Sequence, residues 1–152
     1  MLLTDLLSPE RIRIPLESRS KDDLLEELVE LITRENRVDD PGDVLRAVRE
    51  REAVLSTGIG NGVAIPHGKS PAVPELRMAA GLTREPVDFD ALDGQPVRLF
   101  FMLVGPETAA GPHIKALSRI SRLVRKESVR QRLVSARDAD DFYRALREAE
   151  GA

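Results

Sequence analysis

Apolar and polar residues alternate along this chain with two different periods, which predict helices and strands in alternation. Residues 12–16 alternate with a period of two, so they predict a short strand, and Pro15 places it at the edge of a sheet. Residues 24–32 carry leucine, valine and isoleucine at helical spacing after Ser20 and Asp23, a start that resembles a capping box. A second helix is predicted to begin at Asp40 and to run to about residue 51.

The second half of the chain continues the same alternation. Residues 97–104 are almost unbroken in apolar side chains, which predicts a strand buried on both faces, and residues 76–83 predict a neighbouring strand. A helix after His113 is expected to bury five apolar side chains: Ile114, Leu117, Ile120, Leu123 and Val124. A last helix, capped by Asp138, is expected to pack on the core. The pattern predicts a single α/β sandwich over residues 1–152, with a mixed sheet flanked by helices.

Composition narrows the class of protein. The chain has 152 residues, a net charge of −3 and no cysteine, which excludes disulfides and thiolate chemistry and fits a reducing compartment such as the cytoplasm. No apolar run reaches the roughly 18 to 20 residues of a membrane span, so we expect no membrane insertion. Residues 115–132 hold seven basic residues against one acidic residue. They lack interleaved aromatic side chains, which favours a solvated face or a protein contact over nucleic acid.

The candidate chemistry lies in residues 56–69, STGIGNGVAIPHGK. Gly58, Gly60 and Gly62 lack a Cβ, so the backbone N–H groups there can approach a bound anion closely. Pro66 stiffens the chain before His67, and an imidazole presented in this way suits a nucleophile. The alternative is that GIGNG forms a tight turn between two short strands and that His67 is a half-buried polar residue.

Three other patterns resemble known binding motifs without fitting them. Residues 68–70 match the end of a phosphate-binding P-loop, but position 63, where that motif needs glycine, is Val63. The three glycines do not open a helix, as a dinucleotide-binding motif requires. Asp88, Asp90 and Asp93 fit no calcium-loop spacing and are interpreted as turn formers. The sequence therefore predicts neither a metal nor a cofactor.

Four further residues are candidates for the surroundings of His67. Arg51 lies seven residues after the apolar Val44 and points nearly the same way, so it is a candidate to stabilise an anion at His67. The alternative, which geometry alone favours, is that it contacts carbonyl groups at the helix end. His113 is placed in the first turn of a helix, where an anion is favoured, or it is a surface histidine. Ser56 and Thr57 are either polar neighbours of His67 or turn hydroxyls.

Several of these segments together resemble one protein family. They are STGIGNGVAIPHGK, Arg51–Glu52, FDALDGQPV at residues 89–97, and His113 followed by LSRISRLV at residues 117–124. They resemble the IIA components of the bacterial phosphoenolpyruvate-dependent sugar phosphotransferase system (PTS), in the mannitol/fructose class (EIIA type 2), which includes a nitrogen-regulatory member. The resemblance covers most of the chain.

The resemblance implies a phosphotransferase component with a phosphohistidine intermediate. His67 would accept a phosphoryl group from a phosphorylated HPr-like carrier and pass it to a IIB domain of the fructose/mannitol class, with Arg51 and His113 as helpers. A regulatory module, which uses phosphorylation of His67 as a switch on a protein partner, is the alternative. Which ring nitrogen reacts is left open by the sequence.

Overall fold

A mixed sheet with helices on both faces organises the chain. The structure is a computed structural model, and it describes residues 1–34 and 38–151. The helices are α1 (Lys21–Thr33), α2 (Pro41–Val54), α3 (Ala110–Val124), α4 (Glu127–Val134) and α5 (Ala139–Gly151). The strands are β1 (Ile12–Leu16), β2 (Gly58–Gly60), β3 (Val63–Ala64), β4 (His67–Lys69), β5 (Arg77–Val87) and β6 (Val97–Gly105).

The long strand β6 is the centre of the sheet. The strand order is β1-β5-β6-β3-β2, and β4 also pairs with β6. Strand β6 runs antiparallel to β5 and parallel to β3 and β4, whereas β1 runs parallel to β5. The predicted mixed sheet is therefore confirmed, and β1, which contains Pro15, lies at its edge.

Alternate residues of β6 enter two separate cores. Phe101 and Leu103 pack with α3 and α5 on one face of the sheet, whereas Phe100, Met102 and Val104 pack with α1 and α2 on the other. A strand covered on both faces needs apolar residues at every position, since successive side chains point to opposite faces. This is why residues 97–104 are almost continuously apolar, as the sequence predicted.

Side-chain caps define the starts of three helices at the predicted residues. The Ser20 hydroxyl accepts a hydrogen bond from the backbone N–H of Asp23 at 3.2 Å and begins α1. The Asp40 carboxylate caps α2, and the Asp138 carboxylate caps α5. Each cap satisfies an N–H that has no partner within its helix, so these boundaries follow from local sequence.

The prediction for the buried face of α3 is partly wrong. Ile114 is 65% exposed, while the positions that face the core are His113, Ala116, Ile120 and Val124. These four follow the spacing of one helix face, and Ile114 is rotated about 100° away from His113. Leu117 and Leu123 are half-buried beside this face. Helix α2 also continues three residues beyond the predicted end, to Val54.

Candidate active site

Strand β4 fixes the direction of the His67 side chain. His67 pairs with Leu103 and Gly68 with Val104 in the parallel β4–β6 ladder, and the Leu103 N–H donates to the Pro66 carbonyl at 3.1 Å. Leu103 belongs to the core under α3 and Val104 to the core under α2. Because paired residues share a face, the imidazole of His67 points toward α3.

One nitrogen of the half-buried His67 ring is held by the backbone. Nδ1 lies 2.9 Å from the Ile65 carbonyl oxygen, an atom that can only accept a hydrogen bond. Nδ1 therefore carries the ring hydrogen in the neutral tautomer, an assignment inferred from this partner. The lone pair is left on Nε2, which is the nitrogen able to act as a nucleophile.

The second histidine of the chain lies against the first. The ring centroids of His67 and His113 are 5.5 Å apart, with the planes inclined at 67°. His113 is only 2% exposed, and neither of its ring nitrogens has a hydrogen-bond partner among the described residues. Buried polar groups are normally paired, so this ring has unused hydrogen-bonding capacity next to His67.

Both imidazoles are held neutral at physiological pH. The pKa of His113 is lowered to about 4, mainly by burial, and the nearby His67 and Lys69 contribute in the same direction. Burial is also the main cause that lowers the pKa of His67, and the positive charge of Arg51 adds to it. The hydrogen bond to Ile65 and the negative charge of Glu52 oppose that decrease. A neutral imidazole keeps the lone pair that nucleophilic attack needs.

Arg51 is half-buried in the last turn of α2. Its Nη1 donates a hydrogen bond to the Leu55 carbonyl at 2.9 Å, which is the contact expected for an arginine that closes a helix end. The same guanidinium is close enough to His67 to lower the pKa of the imidazole. The structure thus brings Arg51, His67 and His113 into one neighbourhood.

The glycine segment folds as the tight turn that was the alternative interpretation. β2 and β3 form an antiparallel hairpin, with positive φ at Gly60 (106°), Asn61 (58°) and Gly62 (77°). The Gly62 carbonyl accepts from the N–H of Leu99, four residues before the partner of His67 on β6. At about 3.3 Å per residue this is about 13 Å along the strand. Gly60 and Gly62 are therefore not brought to His67.

The neighbouring polar residues are occupied within the protein. The Ser56 hydroxyl donates to the Phe89 carbonyl at 3.0 Å and accepts from the Gly58 N–H at 3.1 Å. The Thr57 hydroxyl donates to the Glu52 carboxylate at 2.5 Å. These contacts are those of turn hydroxyls, and they fix the loop between α2 and β2.

Glu52 was quoted with Arg51 in the family resemblance, but no role in the site was predicted for it from the sequence. Its side chain is buried, with 6% of the residue exposed, and the carboxylate forms an ion pair with Lys21 Nζ at 3.0 Å. The available signal was its spacing, since Glu52 follows Val44 and Val48 at intervals of four on the buried stripe of α2. A carboxylate on that stripe requires partners, because burying an unpaired charge is costly.

Comparison with known proteins identifies the family. Residues 5–149 match the family model described as "Phosphoenolpyruvate-dependent sugar phosphotransferase system, EIIA 2". The chain belongs to this family. Membership of EIIA type 2 makes it a component of a phosphotransferase system, as the sequence analysis expected, and the flanked mixed sheet is the fold of this family. Among the described residues, none of the helices is long and apolar enough to span a membrane.

Relatives of this EIIA type-2 chain include both nitrogen-regulatory and sugar-transport proteins. It is 39% identical over 150 residues to a "Nitrogen regulatory protein" of Bradyrhizobium diazoefficiens, covering 96% of this chain and 95% of the relative. It is 37% identical over 140 residues to a "PTS system fructose-specific EIIABC component" of Bacillus subtilis, covering 92% of this chain but only 22% of that longer protein. The crystal structure of nitrogen regulatory protein IIA-Ntr from Neisseria meningitidis superposes with a TM-score of 0.88 at 38% identity, covering 95% of this chain and 98% of that one.

Proposed function

We propose that His67 is the phosphoryl acceptor of this PTS component. Nε2 would attack the phosphorus of a phosphohistidine on an HPr-like carrier protein and form a new P–N bond. The carrier's P–N bond would break, and its electron pair would return to the carrier's imidazole. The phosphoryl group would then pass to a nucleophile of a IIB domain of the fructose/mannitol class, as the Nε2–P bond breaks and its electron pair returns to Nε2.

The observation that carries this proposal is the hydrogen bond between His67 Nδ1 and the Ile65 carbonyl at 2.9 Å. It holds the ring hydrogen on Nδ1 and leaves the Nε2 lone pair for attack. Because burial lowers the pKa of His67, the ring is neutral when a carrier arrives. Pro66 has no N–H and follows Ile65 directly, so the segment that presents the ring is stiff.

His113 and Arg51 would stabilise the charge of the transferred group. Phosphoryl transfer passes through a loose transition state whose charge lies on the equatorial oxygens, so positioning and electrostatics supply most of the catalysis. His113 has a ring N–H without a partner among the described residues, and that N–H could donate to a phosphoryl oxygen. Arg51 keeps guanidinium donors beyond the one used by Leu55, and it could turn toward the same oxygens.

Labelling tests the proposal. Incubation with phosphoenolpyruvate, the general phosphotransferase enzyme and HPr should give an acid-labile phosphate on this chain, and His67→Ala should abolish it. His113→Ala is the matched histidine control: it should slow labelling while leaving His67 as the labelled residue. Undiminished labelling of His67→Ala would contradict the assignment.

The nitrogen-regulatory relatives support a second candidate function for the same site. They match nearly the full length of both chains, and the superposition with IIA-Ntr is close. In this function the phosphoryl group on His67 would remain as a signal that changes binding to a regulatory protein. Phosphorylated protein mixed with a purified fructose-class IIB domain distinguishes the two. Rapid loss of phosphate to IIB favours transport, and a phosphate that stays on His67 favours regulation.

A further inference from the structure

A buried carboxylate lies beside the segment that presents His67. Glu52 is in α2, and its ion pair with Lys21 of α1 joins the two helices. The Lys21 ammonium also lies 4.9 Å from the centre of the Phe89 ring, so the cation is enclosed on a second side. Burying such an ion pair costs free energy unless further hydrogen bonds satisfy the carboxylate. Those further bonds come from Thr57.

Thr57 donates to both carboxylate oxygens of Glu52. Its N–H donates to Oε2 at 2.9 Å and its hydroxyl donates to Oε1 at 2.5 Å, and both bonds are buried. Two bonds to one rigidly held carboxylate fix the position and the rotation of Thr57. The Thr57 carbonyl is thereby aimed across the hairpin, where it accepts the N–H of Ile65 at 3.0 Å.

Ile65 is in turn the residue that holds the imidazole. Its N–H is bonded to Thr57, and its carbonyl accepts from His67 Nδ1 at 2.9 Å. On the other side, the Pro66 carbonyl is bonded to the N–H of Leu103. The Ile65 carbonyl therefore has little freedom to turn away from the ring as long as the Thr57 contact is present.

We propose that Glu52 is a positioning residue for His67. Through Thr57 and Ile65 it holds the carbonyl that keeps the ring hydrogen on Nδ1 and leaves Nε2 free. The inference rests on the proposed function, because it concerns the nitrogen that would accept the phosphoryl group. Glu52 does not touch that group. Its charge raises the pKa of His67, and its effect on the tautomer passes through the two intervening residues.

A purely structural role for Glu52 would give different results. If Glu52 only joined α1 to α2, its replacement would lower stability and leave the tautomer of His67 unchanged. In the positioning role, replacement shifts hydrogen from Nδ1 to Nε2, which removes the attacking lone pair in most of the molecules. Partners that orient metal-bound histidines are worth on the order of 10- to 100-fold in activity, and we expect a decrease in that range.

The test compares Glu52→Gln and Thr57→Val with the matched control Glu50→Gln, the same substitution at an exposed position of α2. Histidine ¹⁵N shifts give the tautomer directly, and the chain contains two histidines, so the spectrum is simple. Phosphorylation by phosphoramidate, a small donor that needs no carrier docking, gives the rate at His67 itself. Thermal unfolding confirms that each variant is folded.

We expect Glu52→Gln and Thr57→Val to raise the population of the Nε2–H tautomer of His67 and to slow phosphoramidate labelling by about 10- to 100-fold. Glu50→Gln should match the wild type, and Thr57→Ser should restore most of the rate. The double variant should be no slower than the slower single variant, because the two residues act in one chain.

The positioning role would be overturned if Glu52→Gln and Thr57→Val fold, keep the tautomer populations of the wild type, and are labelled at rates within about two-fold of the wild-type rate. The tautomer is measured on unphosphorylated protein. It therefore tests Glu52 even if His67 proves not to accept phosphate, and the failure of one proposal can be told from the failure of the other.

Discussion

The buried, neutral His113 should make the stability of the protein depend on pH. In the unfolded chain His113 has an ordinary pKa of about 6.5, whereas burial lowers the pKa in the folded protein to about 4. Below pH 6.5 the unfolded chain binds a proton at His113 that the folded protein does not bind, so acid favours unfolding. Stability from this source is intact above pH 6.5 and falls until pH 4, below which both states are protonated.

The size of the effect follows from the two pKa values. They differ by about 2.5 units, and about 1.4 kcal/mol per unit gives a total of between about 3 and 4 kcal/mol for the complete titration. Carboxylates also titrate near pH 4, so the pH dependence of the wild type alone does not separate the contribution of His113 from theirs. His113→Gln removes the titrating group and leaves the carboxylates, and the difference between the two proteins is the contribution of His113.

Urea unfolding at half-unit intervals from pH 7.5 to pH 4.5 measures the effect. We expect the wild type to lose about 2 to 3 kcal/mol more than His113→Gln over that range. Equal losses in the two proteins, or an NMR titration of His113 with a midpoint near 6.5 in the folded state, would refute the reasoning.

Predictions for four further substitutions follow from packing and charge. Gly68→Ala should lower stability by about 1 to 3 kcal/mol, because the new Cβ would lie 3.0 Å from Val48 N in α2. Gly111→Ala, where a Cβ meets nothing within 4 Å, should be neutral or stabilising by up to about 1 kcal/mol in the same urea assay. Arg51→Ala should raise the pKa of His67 in an NMR titration, because the charge of Arg51 lowers that pKa. The same substitution should slow labelling on the order of 100-fold. If neither the pKa nor the labelling rate changes, Arg51 only closes the helix end. Ile114→Ser should change stability by less than about 0.5 kcal/mol, since the side chain is 65% exposed; a loss of several kcal/mol in thermal unfolding would contradict that exposure.

Local features of the sequence determined the helix starts and the central strand. Ser20, Asp40 and Asp138 cap the helices that they were expected to cap, because the capping bond joins residues three positions apart. The almost unbroken apolar run of residues 97–104 needed cover on both faces, which dictated helices on either side of the sheet. The family was also evident from the sequence, since each of its motifs is a continuous stretch of residues.

Only the tertiary structure decided which of the predicted residues meet. Spacing on α3 did not say which side would face the sheet, and the face through His113 was chosen over the one through Ile114 by contact with the core. The strand register of β6 decided that the glycine hairpin pairs about 13 Å along the strand from the partner of His67, an offset that depends on pairing between distant segments. Glycine spacing alone contains no such information.

The tautomer of His67 depends both on contacts between residues close in sequence and on contacts that only the tertiary structure creates. Proline before histidine determined a stiff segment, and the bond from Nδ1 to Ile65 spans only two residues. The support behind Ile65 comes from Thr57, Glu52 and Lys21, which lie in the loop before β2, in α2 and in α1. A buried carboxylate is stable only where folding supplies its partners, and the sequence does not show where those partners will be.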